Sequence, residues 1–265
     1  MRDGLAGFLV PEPVLYHAGA HGFALFGAGH VISLALSLAA VVLAVWGYLR
    51  LPAGAEDGPS GPRRTMLVAL SGASVAIVVA KCGAYVALGL FEPLFWPLHI
   101  CNLSEFAALG YALSPRSHVG YRLGDLVFYW GTIGCAGALL LPGWHGYCPA
   151  QSLASMCGFA EHALVLACSL CMAAGGDYVP ELRGVCFSLL VGAVLGAAFR
   201  VVNPLMGTNF FFVTNPWAVG GPFAWMANVF GNPGFLLAYI VSSAALWLIA
   251  FQGGRWWQRH HAREV

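Results

Sequence analysis

Charge is what this chain has least of. Only 9% of its 265 residues are Asp, Glu, Lys or Arg, 59% are hydrophobic, and the mean hydropathy is +0.75. A soluble domain is about 25% charged and about 45–50% apolar, so a soluble enzyme or binding domain is excluded. The net charge is only +1 and the bases are spread along the chain, which excludes nucleic acid as a partner. Closely paired cysteines are also lacking. The eight present are scattered, mostly inside apolar runs, where a buried thiol behaves as a small hydrophobe. Cys168 and Cys171 have the spacing of a redox or metal pair, but inside an apolar helix that spacing reads as packing. The first 20 residues are not expected to act as a signal peptide, because the apolar run Leu5–Val10 is short and is cut by Pro11 and Pro13. No internal repeat and no second domain is visible, so residues 1–265 read as one unit.

Long apolar runs are what the chain does have. Seven of them, at 23–49, 66–91, 94–113, 121–142, 152–174, 184–206 and 225–251, come near the roughly 20 residues a helix needs to cross a bilayer. The expected fold is all-α, a polytopic membrane protein of seven transmembrane helices. Residues 1–20 form an interfacial lead-in, the Pro/Gly-rich stretch 50–64 a solvent loop, and 252–265 a tail. Arg50, Arg63, Arg64, Arg116, Arg122, Arg183, Arg255, Arg259 and Arg263 fall on one side of the alternating spans; only Arg2 falls on the other. The positive-inside rule then puts the N-terminus outside and the C-terminus in the cytoplasm, in a multi-pass protein of the cell membrane. Trp96, Trp144, Trp217 and Trp225 at outer boundaries, with Trp256 and Trp257 at the inner one, read as an aromatic belt.

Polar residues inside the spans point to function, because ionisable groups at membrane depth need a cavity or a partner. Lys81 and Arg200 lie there. At the helical rise of about 1.5 Å per residue, His30, His99, Cys101, Asn102, Glu105, Glu161, His162, Asn203, Asn228 and Asn232 share the outer half, with Asp125 the exception. Common depth predicts one polar cavity open to the outer side. The alternative is a scaffold of interhelical bonds, with Glu105 or Glu161 neutralising Lys81 and Arg200. Cys101 and Glu105 share one helix face and His99 and Asn102 another. His99 and Cys101, two apart, do not face each other, so a base for Cys101 comes from another helix, and His162 is matched in depth. A thiol nucleophile needs such a base or a nearby positive charge, and Lys81, Arg200 or Asn203 could hold a developing oxyanion. His30, His99 and His162 lack the spacing of a helical zinc motif, so neither a metal nor another cofactor is expected. Pro204 and Gly207 are expected to end span six. Asn203, Thr208, Asn209, Thr214 and Asn215 then form a polar segment over the cavity mouth, with Phe210–Phe212 dipping into lipid. Gly231-Asn232-Pro233 is expected to kink the start of span seven.

Two motifs carry a resemblance. The stretch WPLHICNLS (96–104) resembles the PLHxC signature of the bacterial YwaF-type integral membrane proteins. The stretch VNPLMGTNF (202–210) resembles that family's N-x-x-x-G-T-N-Y segment, with Phe210 where Tyr is usual. Glu161-His162 sits where that family tends to place a helix histidine, and the similarity runs over roughly 20–250. This family is grouped with the transmembrane protein 164 family. That resemblance implies a membrane-embedded acyltransferase acting on phospholipid acyl chains, with Cys101 as nucleophile and His162 as base. His99 stands beside them, although the eukaryotic motif has Cys directly before His. Lys81, Asn102, Glu105, Arg200, Asn203 and Asn209 are the substrate-binding candidates, and a phospholipid or lysolipid is the expected partner. The competing reading is a binding or transport protein for a small anionic solute, held by Lys81 and Arg200. A retinal-based light receptor is excluded, since span seven has no lysine. The acyl-transfer reading requires the Cys101 sulfur and the His162 ring to meet in one cavity, within about one water, with Asn203, His99 or Glu105 orienting the imidazole.

Overall fold

A computed structural model describes residues 7–52, 61–114 and 117–261. Arg2, Arg116 and Arg263, and residues 53–60 of the expected solvent loop, lie outside the described residues. Eight helices organise what is described: α1 (Glu12–His17), α2 (Ala28–Arg50), α3 (Pro62–Ala87), α4 (Ile100–Leu113), α5 (His118–Leu140), α6 (Leu153–Ala174), α7 (Leu182–Met206) and α8 (Gly221–His261). No strand occurs among the described residues. Six helical stretches are long and apolar enough to cross a membrane: α2, α3, α5, α6, α7 and the Gly234–His260 part of α8. The expected span 94–113 is different. Its helix α4 has only 14 residues, about 21 Å at 1.5 Å per residue.

The cause lies in two prolines. Pro93 opens a 3-10 turn, Pro93–Phe95. Pro97 then keeps the residue before it out of the α region, and Trp96 is extended at ψ 138°. His99, also extended at ψ 157°, becomes the N-cap. Other boundaries follow ordinary capping. Ser117 and Ser152 accept from the amides of Gly120 and Ser155, satisfying otherwise unpaired first-turn donors. Gly207, at φ 66°, stops α7 in the left-handed conformation. Pro204 does not end that helix, as had been expected, but lies inside its last turn. Near its start α8 is broken at Gly231 (φ 66°) and Asn232, at the expected kink. The helix then runs on to His261, so most of the expected tail is helical. Trp257 and Gln258 hold it by donating to the carbonyls of Ala174 and Tyr178.

Helix α6 is the axis of the bundle. In its most apolar stretch 72% of residues are buried, against 17% in α2 and α7. It packs on α2, α3, α4, α5 and α8. Cys168 and Cys171 lie in this core, packed with Tyr48, Leu67, Phe128 and Met172. The outward faces are aliphatic, with Leu36, Leu43, Leu190, Leu205, Leu237 and Ile249 all exposed, as suits lipid rather than water as surroundings. Within α5, Val127–Cys135 is π-helical, a widened geometry that is frequent at functional sites.

The chain alternates between two ends. Arg50, Arg63, Arg64, Arg122, Arg183, Arg255 and Arg259 gather at one, the basic end. At the far end α1 is tied down through Glu12, which accepts from Tyr85 and Tyr147 at 3.2 and 3.0 Å. Burial and the nearby Glu12 push the Cys148 thiol beside this knot up to about 12, so it stays protonated. The three Phe do not dip into lipid. Phe210 and Phe211 are buried against Leu98, Ile100, Leu103 and Phe199, because Asn203 folds their segment inward. Trp144 likewise faces the interior, where it packs on Phe159.

Close helix contact leaves one glycine no room. A Cβ on Gly184 would stand 2.4 Å from Asp125 Oδ1, a buried carboxylate fixed by Tyr178 and Arg122. Gly137, also helical, has nothing within 4 Å of such an atom. Gly184→Ala should therefore lower stability by about 1–3 kcal/mol through overpacking, while Gly137→Ala should be neutral or slightly stabilising. Thermal unfolding in detergent, followed by tryptophan fluorescence, checks both.

Candidate active site

The late start of α4 fixes the position of Cys101. With His99 as N-cap, Ile100, Cys101 and Asn102 occupy the first three helical positions, and the first intrahelical amide bond runs from Leu103 to the His99 carbonyl. The amides of the first turn have no partner within the helix. They give the N-terminus a partial positive charge. Cys101 is half-buried and belongs to this unpaired first turn.

His162 comes from the middle of α6. Its Nδ1 lies 2.7 Å from the carbonyl oxygen of Gly158, one turn back on the same helix. A ring nitrogen facing a carbonyl must carry the proton, so in the neutral ring Nε2 keeps its lone pair. The imidazole and the Cys101 thiol are electrostatic neighbours, and Cys135, at the end of the π-helical run, lies beside the same sulfur. The Trp144 ring lies against His162, centroids 5.3 Å apart and tilted by 34°, and its indole N–H donates to Ser155. Gly158 makes this possible, since a Cβ there would come within 2.9 Å of the indole. Across the thiol, a Cβ on Gly134 would stand 3.7 Å from the sulfur.

His99 completes the group. Its ring lies between Phe210 and Phe212, with centroids 5.2 and 5.0 Å away. Its Nδ1 is buried without a hydrogen-bond partner. Phe211 and Phe212 take positive φ, 57° and 58°, a strained backbone for aromatic residues. The turn holds because Asn203, fully buried, spends both amide hydrogens on Phe210 O and Thr214 Oγ1 and accepts from Thr208 Oγ1 and Phe210 N. Asn209 is similarly committed, donating to Asn215 O and accepting from the amides of Thr214 and Asn215. Arg200 donates to the carbonyls of Val213 and Thr214 and to Asn232, fastening the segment to the break in α8.

The remaining candidates form two further contacts. Glu105 is buried and accepts from Ser74 and Asn102, both at 3.0 Å. Lys81 pairs with Glu161 at 3.1 Å. Thus Cys101, His162 and His99 come together, with Asn102 beside Cys101 in the first turn of α4 and Glu105 one turn further on. Lys81 is neutralised, and Arg200, Asn203 and Asn209 shape the covering turn. His30, once weighed as a metal ligand, is spent elsewhere, between the Phe26 amide and the Leu139 carbonyl. The group orienting His162 is not Asn203, His99 or Glu105 but the Gly158 carbonyl. No sequence signal marks a backbone acceptor of that kind. Cys135 and Trp144 were also missed as neighbours of the thiol and the base. The helix N-terminus at Cys101 could have been read from Pro97.

These features describe an all-helical, multi-pass membrane protein with a thiol–imidazole pair inside the bundle. The family model described as the TMEM164 family matches residues 25–251, from before α2 into the last turns of α8, and the chain belongs to that family. No curated protein and no solved structure matches it.

A half-buried thiol beside an imidazole differs in reactivity from thiols sealed in the core. N-Ethylmaleimide at neutral pH should modify Cys101 and the exposed Cys186. Cys135, Cys168 and Cys171, buried to 2% or less, should stay unmodified. His162→Ala should slow the Cys101 reaction by about tenfold or more, since the thiolate is the reacting form. Peptide mapping by mass spectrometry gives the site-by-site rates.

Proposed function

We propose that this protein is a membrane-embedded lipid acyltransferase whose nucleophile is Cys101. The observation that carries the reading is the Cys101 thiol set beside a His162 ring whose Nδ1 proton is held by the Gly158 carbonyl. In the first half-reaction the free Nε2 takes the thiol proton and the sulfur attacks the ester carbonyl of a phospholipid. The negative charge developing on the carbonyl oxygen faces the first-turn amides of α4 and the unpartnered His99 ring, donors set where that charge appears. The tetrahedral adduct collapses to an acyl-thioester, and His162 returns its proton to the departing lysolipid alkoxide. In the second half-reaction the ring takes the proton of an acceptor hydroxyl, whose oxygen attacks the thioester and releases the thiol. No redox change and no cofactor is required.

The same reading sets the protein in the bilayer. α4, together with the extended and 3-10 residues 93–99 before it, makes a seventh pass, with irregular backbone at membrane depth buried within protein. The arginine-rich end faces the cytoplasm of a cell membrane and the N-terminus faces outward. Cys101 then meets acyl chains from the outer side, beneath the turn of Phe210–Phe212. The competing anionic-solute reading loses its main ligand, because Lys81 is already paired with Glu161.

Acyl transfer from a labelled phospholipid to a lysolipid, in detergent or nanodiscs, tests the proposal. Cys101→Ala should reduce transfer to background, and His162→Gln should lower it by about 10²–10⁴-fold, the usual contribution of a positioned base. A lipid-like electrophile should leave its adduct on Cys101. Undiminished transfer by a folded Cys101→Ala protein would overturn the assignment.

A further inference from the structure

A cavity of about 610 Å³ lies away from Cys101, at the basic end of the bundle. Tyr48, Arg64, Tyr111, Ser114, Ser117–Arg122 except Val119, Asp177 and Arg183 contribute to its wall. Tyr111 is ten residues beyond Cys101 on α4, about 15 Å along the axis at 1.5 Å per residue. In a phospholipid the phosphate is only a few bonds from the ester carbonyl. A lipid reacting at Cys101 therefore cannot place its headgroup here, and an occupant of this cavity is a separate molecule.

Among the described residues the charges around the cavity do not balance locally. Three guanidiniums line it, and two are matched to carboxylates, Arg122 to Asp125 and Arg183 to Glu181. Arg64 is the third. It is half-buried, and one of its guanidinium nitrogens donates to the Tyr111 carbonyl at 3.1 Å. Among the described residues no carboxylate stands within ion-pair distance of it. Asp177, the acid in the wall, is turned toward Tyr48, whose hydroxyl donates to it at 2.7 Å. The first turn of α5 also borders the cavity and brings its dipole. Ser117, whose oxygen accepts from Gly120 N, adds a hydroxyl hydrogen, while the Ser114 and Tyr121 hydroxyls are spent on the carbonyls of Gly110 and Val179. An unmatched guanidinium with spare N–H donors, a helix N-terminus and a hydroxyl in one concavity together suit a tetrahedral oxyanion.

We propose that this cavity binds a phosphate group through Arg64, either on an anionic phospholipid of the adjoining leaflet or as a free phosphate ester. It is a second site, and the proposal does not depend on the chemistry at Cys101. The full chain in neutral detergent is titrated with two probes. Inorganic phosphate at constant ionic strength is followed by thermal shift. Phosphatidic acid, with phosphatidylcholine as the control, is followed by native mass spectrometry. The wild-type chain should bind at least one probe at a single saturable site. Arg64→Gln should weaken that binding by about tenfold or more, as expected on losing a charge-assisted hydrogen bond. Arg64→Lys should retain part of it, and Arg259→Gln on α8 should leave it unchanged. Ser114→Asp, which leaves the Arg64–Tyr111 bond intact, should repel the anion and gives a second route should Arg64→Gln fail to fold. A response to phosphate marks a free anion, and a response to phosphatidic acid alone marks a headgroup. Binding of neither probe, equal uptake of phosphatidylcholine, or affinity unchanged by both Arg64→Gln and Ser114→Asp would overturn the proposal.

Discussion

Backbone amides that begin a helix inside an apolar bundle need something to bond, and this constraint organises the centre of the molecule. Pro97 delays α4 to Ile100, so the first-turn donors that would usually meet water at a membrane surface point into the protein. Cys101 is the second residue of that turn. The π-helical stretch of α5, the covering turn of Phe210–Phe212 and the middle of α6 all converge on it.

The same need for internal partners separates scaffold from candidate chemistry. Lys81–Glu161, Ser74–Glu105–Asn102 and Tyr178–Asp125–Arg122 are closed sets in which each buried charge is answered. Asn203 is a closed set in itself, with every hydrogen-bonding position of its amide occupied by one short segment. His99 Nδ1 and the first turn of α4 are left open. Unanswered polar groups in an apolar interior are costly, and both stand beside the same half-buried sulfur.

Much of the arrangement was legible in the sequence, for definable reasons. Apolar runs located α2, α3, α5, α6, α7 and most of α8 to within a few residues, because a lipid-facing helix has little freedom in composition. Depth counted along helices matched His162 to Cys101. Counting failed where the chain is not a plain helix: the extended run through Pro97, the π-helical Val127–Cys135 and the left-handed turn at Phe211–Phe212. Hydropathy does not register such departures, and their aromatic and aliphatic residues suit either a lipid-facing or an inward position. The Gly158 carbonyl was out of reach for another reason, since every residue has one and only the fold selects which is used.

The thiol and the imidazole are carried by different helices, α4 and α6, whereas the ring's tautomer is set within a single turn of α6. Sliding or tilting of one helix against the other changes the sulfur–nitrogen separation but leaves the proton on Nδ1 in place. A bilayer whose hydrophobic thickness changes helix tilt thus acts on this pair as a mechanical adjustment of distance. Temperature and lipid composition would thereby reach the thiol–imidazole pair through geometry, with the Nδ1 proton held constant.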